Sequence, residues 1–532
     1  MPNFIRNSFL LILLLLSVAS FAQNQVKDTT DFIHILYADH AITDRHYPDK
    51  QLLSGEVKIE HNGAFLYCDK AIVDKIKNSA IAVGNVRLEQ GDTITMRSGY
   101  LKYDGTKSFA QAFDHVVLKD SKMDLATDTL YYDRVKQEAY FTSGGVIHDS
   151  INTLESRYGR YYLNEKRFRF TQNVHITNPD YQIDSYQLDY FTQTGVSIFS
   201  GPTKIYNKKS YIYAEKGHYD SKNEVSWFVK NAFIKHKHTS IKGDSLYYDR
   251  RLDYATGNDN VVVFDSINRT WIYADYVQRW VKQDSIKVSQ NPLVISINKK
   301  DTLYMRATRF ITSGKEKHQK VWGFDNVKFY NKDFTGRADS IYRQEDIRLM
   351  KLLNNPVVWS NKSQITGDKI IIKSDSLNQA DSLRIPKNVF IIQKDSLGYN
   401  QIKGNRLLGK FKDNAIDHIN IYGNTEIIYY LREEDGQLTG IEKNKSSRIY
   451  IQFNDGEIGS IGLYEKPDGI IYPANDFPAS QHKLKGFKWL GKLRIKSKED
   501  VIGNHILTFE PERIQKNIPD TDAIKREKLF DE

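Results

Sequence analysis

Side chains able to do chemistry are plentiful in this chain, and almost none of them stands out. Among 76 Lys and Arg, 66 Asp and Glu and 14 His, the first arrangement with metal-ligand spacing is His236 and His238. Two residues apart on a strand, they would share a face, but a metal needs a third ligand that the neighbouring sequence does not supply. Acids recur in two settings, as in Tyr37-Ala38-Asp39 and Leu130-Tyr131-Tyr132-Asp133. They lack the Gly-Gly-x-Gly-x-Asp spacing of calcium-binding β-rolls, and Asp is a turn-forming residue without any ion. A glycosidase or lyase would carry singular acids on an otherwise regular face, and none is singular here. Nucleophile-elbow, zinc-protease and phosphate-loop motifs are missing. The residues therefore predict no catalytic site, no metal and no cofactor, and a protein that is not an enzyme.

The elements that carry these residues repeat. Gly55-Glu56-Val57, Gly84-Asn85-Val86, Asp114-His115-Val116, Gly144-Gly145-Val146, Gln172-Asn173-Val174, Gly201-Pro202-Thr203, Lys230-Asn231-Ala232 and Asp259-Asn260-Val261 follow one another at intervals of 28 to 30 residues. Worn copies stand at Asp325-Asn326-Val327, Asn355-Pro356-Val357 and Lys387-Asn388-Val389. A second phrase keeps phase with the first, in Leu101-Lys102-Tyr103-Asp104, Leu130-Tyr131-Tyr132-Asp133 and Leu246-Tyr247-Tyr248-Asp249. A fixed period of this length implies a stack in which no unit buries its own apolar face.

Within each unit the alternation has period 2, as in Val86-Arg87-Leu88-Glu89 and Ile94-Thr95-Met96-Arg97, which is how half-buried strands read. With 33 Tyr and 26 Phe and breaks at Gly-Asp and Asn-Gly, the fold class is all-β. Taking each phrase as a strand start, the inward row comprises Val57, Ile59, Val86, Leu88, Ile94, Met96, Val116, Leu118, Val174 and Ile176. That row could fill a dry core or line a groove for an apolar ligand, and period alone does not separate the two.

The N-terminus reads as a cleavable signal peptide over 1–22, with Arg6, an apolar run from Phe9 to Leu16 and Ser20-Phe21-Ala22 as the cleavage site. A leader and capping strand over 23–50 precede the repeats of 51–440. A closing β segment over 441–509 and a charged, apolar-poor tail over 510–532, expected to be disordered, follow. A lone cysteine, Cys68, precludes an intramolecular disulfide framework. The net charge of +10 suits an anionic partner, and nucleic acid is a poor one for an exported chain. Mean hydropathy is −0.56.

In Leu53-Ser54-Gly55-Glu56-Val57-Lys58-Ile59, Leu66-Tyr67-Cys68-Asp69, Gly84-Asn85-Val86-Arg87-Leu88 and the Leu-Tyr-Tyr-Asp phrases, the chain resembles the OstA-like family, the LptA-type proteins of lipopolysaccharide transport. It is similar again at Tyr422-Gly423-Asn424 and in the run from Leu484 to Trp489. The resemblance implies an elongated β-jelly roll of stacked, bent antiparallel strands, a parallel β-helix solenoid being the alternative. It implies a periplasmic protein that shelters lipid A acyl chains between inner and outer membrane, with the ten inward residues as lipid lining. Its partners would be lipopolysaccharide and other jelly-roll transport proteins joined by edge-strand pairing, with end-to-end self-association a further option. The competing reading is a secreted β-helical glycan-binding or adhesion protein with a solid core; a carbohydrate-active enzyme on a β-helix ranks third.

Overall fold

The computed structural model describes residues 32–505 and 507, apart from 92–93, 121–122, 209, 298–301, 316, 377–378, 413–414, 434 and 455–456. The signal-peptide and tail assignments lie outside the described residues. The chain divides into two units, Met1–Ile147 and His148–Glu532. In both, hairpin follows hairpin and strands pair antiparallel, as in Ser79–Gln90 with Ile94–Asp104 and Val225–His236 with Thr239–Asp249. These are the stacked antiparallel strands that the resemblance implied, and the antiparallel ladder rules out the parallel β-helix alternative, which needs every strand to run the same way.

The recurring phrase is not a strand start, as the sequence suggested. It is a corner in the middle of a strand. Gly84 (φ 80°) and Asn85 (φ 43°) both adopt left-handed backbone, and across the ladder these two residues oppose the single residue Gly99. The same paired left-handed geometry recurs at Asp114-His115, Gln172-Asn173, Lys230-Asn231, Asp259-Asn260 and Asp325-Asn326. Gly, Asn and Asp are the residues that tolerate such backbone, and a bulge of two residues against one bends the strand. Each strand of about 11 residues is thereby folded into two arms.

The two phrases keep phase because they hydrogen-bond to each other. The corner asparagine donates to the acid of the preceding strand: Asn85 Nδ2 to Asp69 Oδ2 at 2.9 Å, Asn231 to Glu215 at 2.7 Å and Asn260 to Asp244 at 2.7 Å. The acid five residues further on closes the next turn. Asp74, Asp104, Asp133 and Asp220 each accept the backbone N–H three residues ahead at 2.9–3.0 Å. These aspartates are occupied in the turn role the sequence assigned them.

The corner makes a testable demand. A Cβ on Gly84 would stand 2.4 Å from Asp69 Oδ2, whereas one on Gly91, also left-handed at φ +60°, would meet nothing within 4 Å. Gly91→Ala should cost only the left-handed backbone penalty, about 1 kcal/mol. Gly84→Ala should cost more, about 2 kcal/mol or above, because it also displaces the Asp69–Asn85 contact. Urea midpoints of the two variants check this; equal losses would contradict the corner account.

In the second unit, several strands from Tyr254–Asp265 onward have stretches buried on both faces. Val261, Val262 and Val263 are all buried, as are Val357, Val358 and Trp359, and Val389 through Ile392. One face belongs to the interior core that runs from Val261 to Ile451. The opposite face is covered by the chain's own C-terminal segment. After the strands Leu438–Asn454, Glu457–Tyr464 and Asp468–Tyr472, residues 473–505 run back as an irregular strap. Its first part sets Phe477 and Leu484 against Phe390, Ile392, Ile428 and Tyr430. Further on, Ile495 and Val501 pack on Phe233, Val262, Tyr273 and Leu293.

Two buried glutamines staple the strap down. Gln364 donates Nε2–H to the Lys488 carbonyl (2.8 Å) and accepts from the Leu490 amide (2.7 Å). Gln401 does the same with His482 O (2.7 Å) and Leu484 N (2.8 Å). Each primary amide thus substitutes for a strand partner and satisfies strap backbone groups that would otherwise be buried without one.

Candidate functional site

Bending every strand places two arms face to face, so each unit has an interior lined by alternate residues of both. In the first unit one wall carries Val57, Ile59, Val86, Leu88, Met96, Val116 and Leu118, all buried. Ile94, at the end of its arm, is half-buried. Val174 and Ile176 are buried in the second unit, on the strand Arg167–Thr177. The expected inward row therefore does face inward, and it forms one wall.

The opposite wall escaped the sequence reading. It consists of the residues before each corner and after each facing one: Ala80 and Ala82, Leu101 and Tyr103, Ala110 and Ala112, Leu130 and Tyr132. In Ser79-Ala80-Ile81-Ala82-Val83 the alanines point inward while Ile81 and Val83 face out. An apolar-alternation test favours the larger residues and picks the wrong face. Short alanine rows alternating with Leu and Tyr rows let the walls approach closely, and the space between them is filled by protein. Cys68 lies on this inner surface, and burial pushes its thiol up to about 11.

Polar groups meet across the mouth of the first unit, where the free tips of the two arms converge. His61, at the tip of one arm, has Nδ1 2.7 Å from the hydroxyl of Tyr103 at the tip of the other. Tyr132 donates to Gln90 Oε1 at 2.7 Å. Desolvation raises both phenols, Tyr132 to about 12, so both hydroxyls hold their protons at physiological pH.

The second unit has an apolar mouth instead. A cavity of about 20 Å³ lies between its walls. Phe334 and Ser360 line it near the tips of one wall, and Phe411 and Ile416 near the tips of the other. Deeper in are Ile365, Ile370 and Leu383. Its volume is on the order of one water, far short of an acyl chain, so in this conformation the walls are closed on each other.

The histidine pair with metal-ligand spacing is not brought to one face. His236 ends the strand Val225–His236 and is bonded to Ser210 Oγ at 2.6 Å, while His238 sits in the following turn. The left-handed Lys237 between them removes the common strand face that the spacing suggested. Among the described residues no group of three His, Cys, Asp or Glu side chains is placed to hold a metal. The basic stretch from Ser313 to Lys320 closes a hairpin, with those two residues paired across it.

The repeat, the corner and the facing walls have counterparts in known sequences. The family described as "OstA-like protein" matches residues 30–186, and the family described as "LptA/(LptD N-terminal domain) LPS transport protein" matches residues 259–377. Residues 30–186 are thus OstA-like and residues 259–377 LptA-like. One stretch thus covers the first unit and the start of the second, and the other lies wholly within the second. Among solved structures, the chain is similar to LptH from Pseudomonas aeruginosa, described as the LptA-homologous periplasmic component of the conserved lipopolysaccharide transport device. The identity is 11%, over 20% of this chain and 81% of that one, with a TM-score of 0.19. No curated protein matches the chain.

Proposed function

We propose that this OstA-like protein is a non-enzymatic carrier of lipopolysaccharide in the periplasm, sheltering lipid A acyl chains between the two walls of its units on the way to the outer membrane. The supporting observation is the uninterrupted apolar interior, which in the second unit runs from Val261 to Ile451. Each buried methylene is worth ~0.8 kcal/mol, so a multi-chain lipid crosses water at a useful rate only along such a surface. The ten residues from Val57 to Ile176 named above serve as lining, together with the alanine, leucine and tyrosine wall they face. Because that interior is packed, lipid enters by parting the walls at their mouths.

Other jelly-roll transport proteins, or a second copy of the chain, are the partners this reading needs. Strand addition at open edges would recruit them. Leu36 and Tyr37 on the strand His34–Tyr37, and Ile470 and Ile471 on the strand Asp468–Tyr472, leave large apolar side chains exposed for it.

Photo-crosslinking in cells tests the reading. A benzoylphenylalanine at Ile94 or Leu118 should capture lipopolysaccharide, and one at the outward Arg97 should not. Capture only from Arg97, or from no position, would remove the acyl-carrier reading.

A further inference from the structure

In the polar mouth of the first unit lies a buried cation to which, among the described residues, no carboxylate is bonded. Arg134 follows the strand Met123–Asp133 and is only 9% exposed. Its guanidinium donates from Nε to Gln90 Oε1 (3.1 Å), from Nη1 to His61 O (3.0 Å) and Tyr103 Oη (2.8 Å), and from Nη2 to Asn62 O (2.9 Å). Every one of these acceptors is neutral. Buried charges are ordinarily paired, and the planar fork of a guanidinium is shaped for an oxyanion.

Two of the four acceptors are side-chain atoms, the buried Tyr103 Oη and the half-buried Gln90 Oε1. Gln90 Oε1 receives both the Arg134 Nε–H and the Tyr132 hydroxyl at 2.7 Å, so a cationic and a neutral donor converge on one uncharged oxygen. Gln90 itself is half-buried at the end of the strand Ser79–Gln90, whereas Arg134 is buried. Just inside the mouth begin the apolar walls, with Leu88 on one side and Leu101 and Leu130 on the other.

We propose that this cluster is a phosphate site: a phosphate oxygen takes the place of Gln90 Oε1 against Arg134 and Tyr132, and the acyl chains of the same amphiphile enter between the walls behind it. The anion exchange stands on Arg134 and its partners alone, whereas the headgroup as its source rests on the acyl-carrier reading. In the resting protein Gln90 holds the mouth shut as a neutral occupant. An amphiphile without phosphate has nothing with which to displace it.

The experiment compares full-length wild type, Gln90→Glu and Arg134→Gln for binding of phosphatidic acid and of diacylglycerol with the same chains, in detergent micelles. Thermal unfolding with and without inorganic phosphate runs beside it. Wild type should prefer phosphatidic acid by at least about tenfold. Gln90→Glu supplies its own anion to Arg134, so it should melt no lower than wild type, still bind diacylglycerol and lose the preference; Arg134→Gln should lose it too. If both variants keep the preference, or if Gln90→Glu alone keeps it where Arg134→Gln does not fold, the site is overturned while the carrier reading stands. If neither amphiphile binds wild type, the carrier reading falls. The site then survives as one for free phosphate if inorganic phosphate raises the melting point of wild type and not of Gln90→Glu, and it falls otherwise.

Discussion

Ile421→Asp is expected to unfold the second unit. Ile421 is fully buried in the interior core and sits opposite Leu407 and Ile449 in the ladder. An ionised carboxylate there has no partner, so the substitution should cost about 4 kcal/mol or more, enough to consume much of a typical domain's stability. Circular dichroism melting and limited proteolysis should show loss of the cooperative transition for residues 148–505, while Lys410→Asp on the neighbouring strand, already exposed, should shift it little. A stably folded Ile421→Asp protein would mean that this interior admits water freely.

Removing the strap should have an effect of similar size by a different route. Truncation after Tyr472 strips cover from Phe390, Ile392 and Tyr430 at one end and from Phe233, Val262, Tyr273 and Leu293 at the other. Trp359, opposite Gln364 in the register and therefore on the same face, loses its cover too. A contiguous apolar patch of this extent on a sheet face predicts aggregation. The finer test is Gln364→Leu with Gln401→Leu, which leaves four strap backbone groups without partners and should cost about 1–3 kcal/mol for each one left unsatisfied. Hydrogen exchange at Leu484 and Leu490 should then accelerate by orders of magnitude. Unchanged exchange there would show that apolar packing alone holds the strap.

Much of this architecture was legible in the sequence, and the parts that were not share a physical cause. Period and alternation report which side of a strand is buried, and they placed Val86, Leu88, Met96, Val116 and Leu118 correctly. They do not report where a strand bends. Gly84-Asn85-Val86 looks like a beginning because Gly and Asn usually punctuate strands, yet here the same left-handed preference makes a corner inside one. Treating it as a start halved the interior and hid the alanine wall.

The strap was hidden for another reason. Its irregular backbone gives no periodic signal, and its few anchors, Phe477, Leu484, Ile495 and Val501, are widely spaced. The complementary signal did exist in the strands beneath: Val261-Val262-Val263-Phe264 and Val389-Phe390-Ile391-Ile392 are continuous apolar runs, the mark of a strand covered on both faces. Arg134 was illegible altogether. One arginine among many in a basic chain becomes notable only when folding buries it among neutral acceptors.

The central claim is that two closed walls part to admit acyl chains. The most direct measurement places spin labels at Asn361→Cys and Lys412→Cys, exposed residues at the tips of the two walls flanking the cavity in the second unit. Cys68 is buried and stays unlabelled. Pulsed electron resonance should give a narrow distance distribution in the lipid-free protein. Adding lipopolysaccharide should produce a population longer by several ångströms, since packed sheets about 10 Å apart leave no layer for chains between them. An unchanged distribution in a sample that demonstrably carries bound lipopolysaccharide would place the lipid elsewhere and contradict the account.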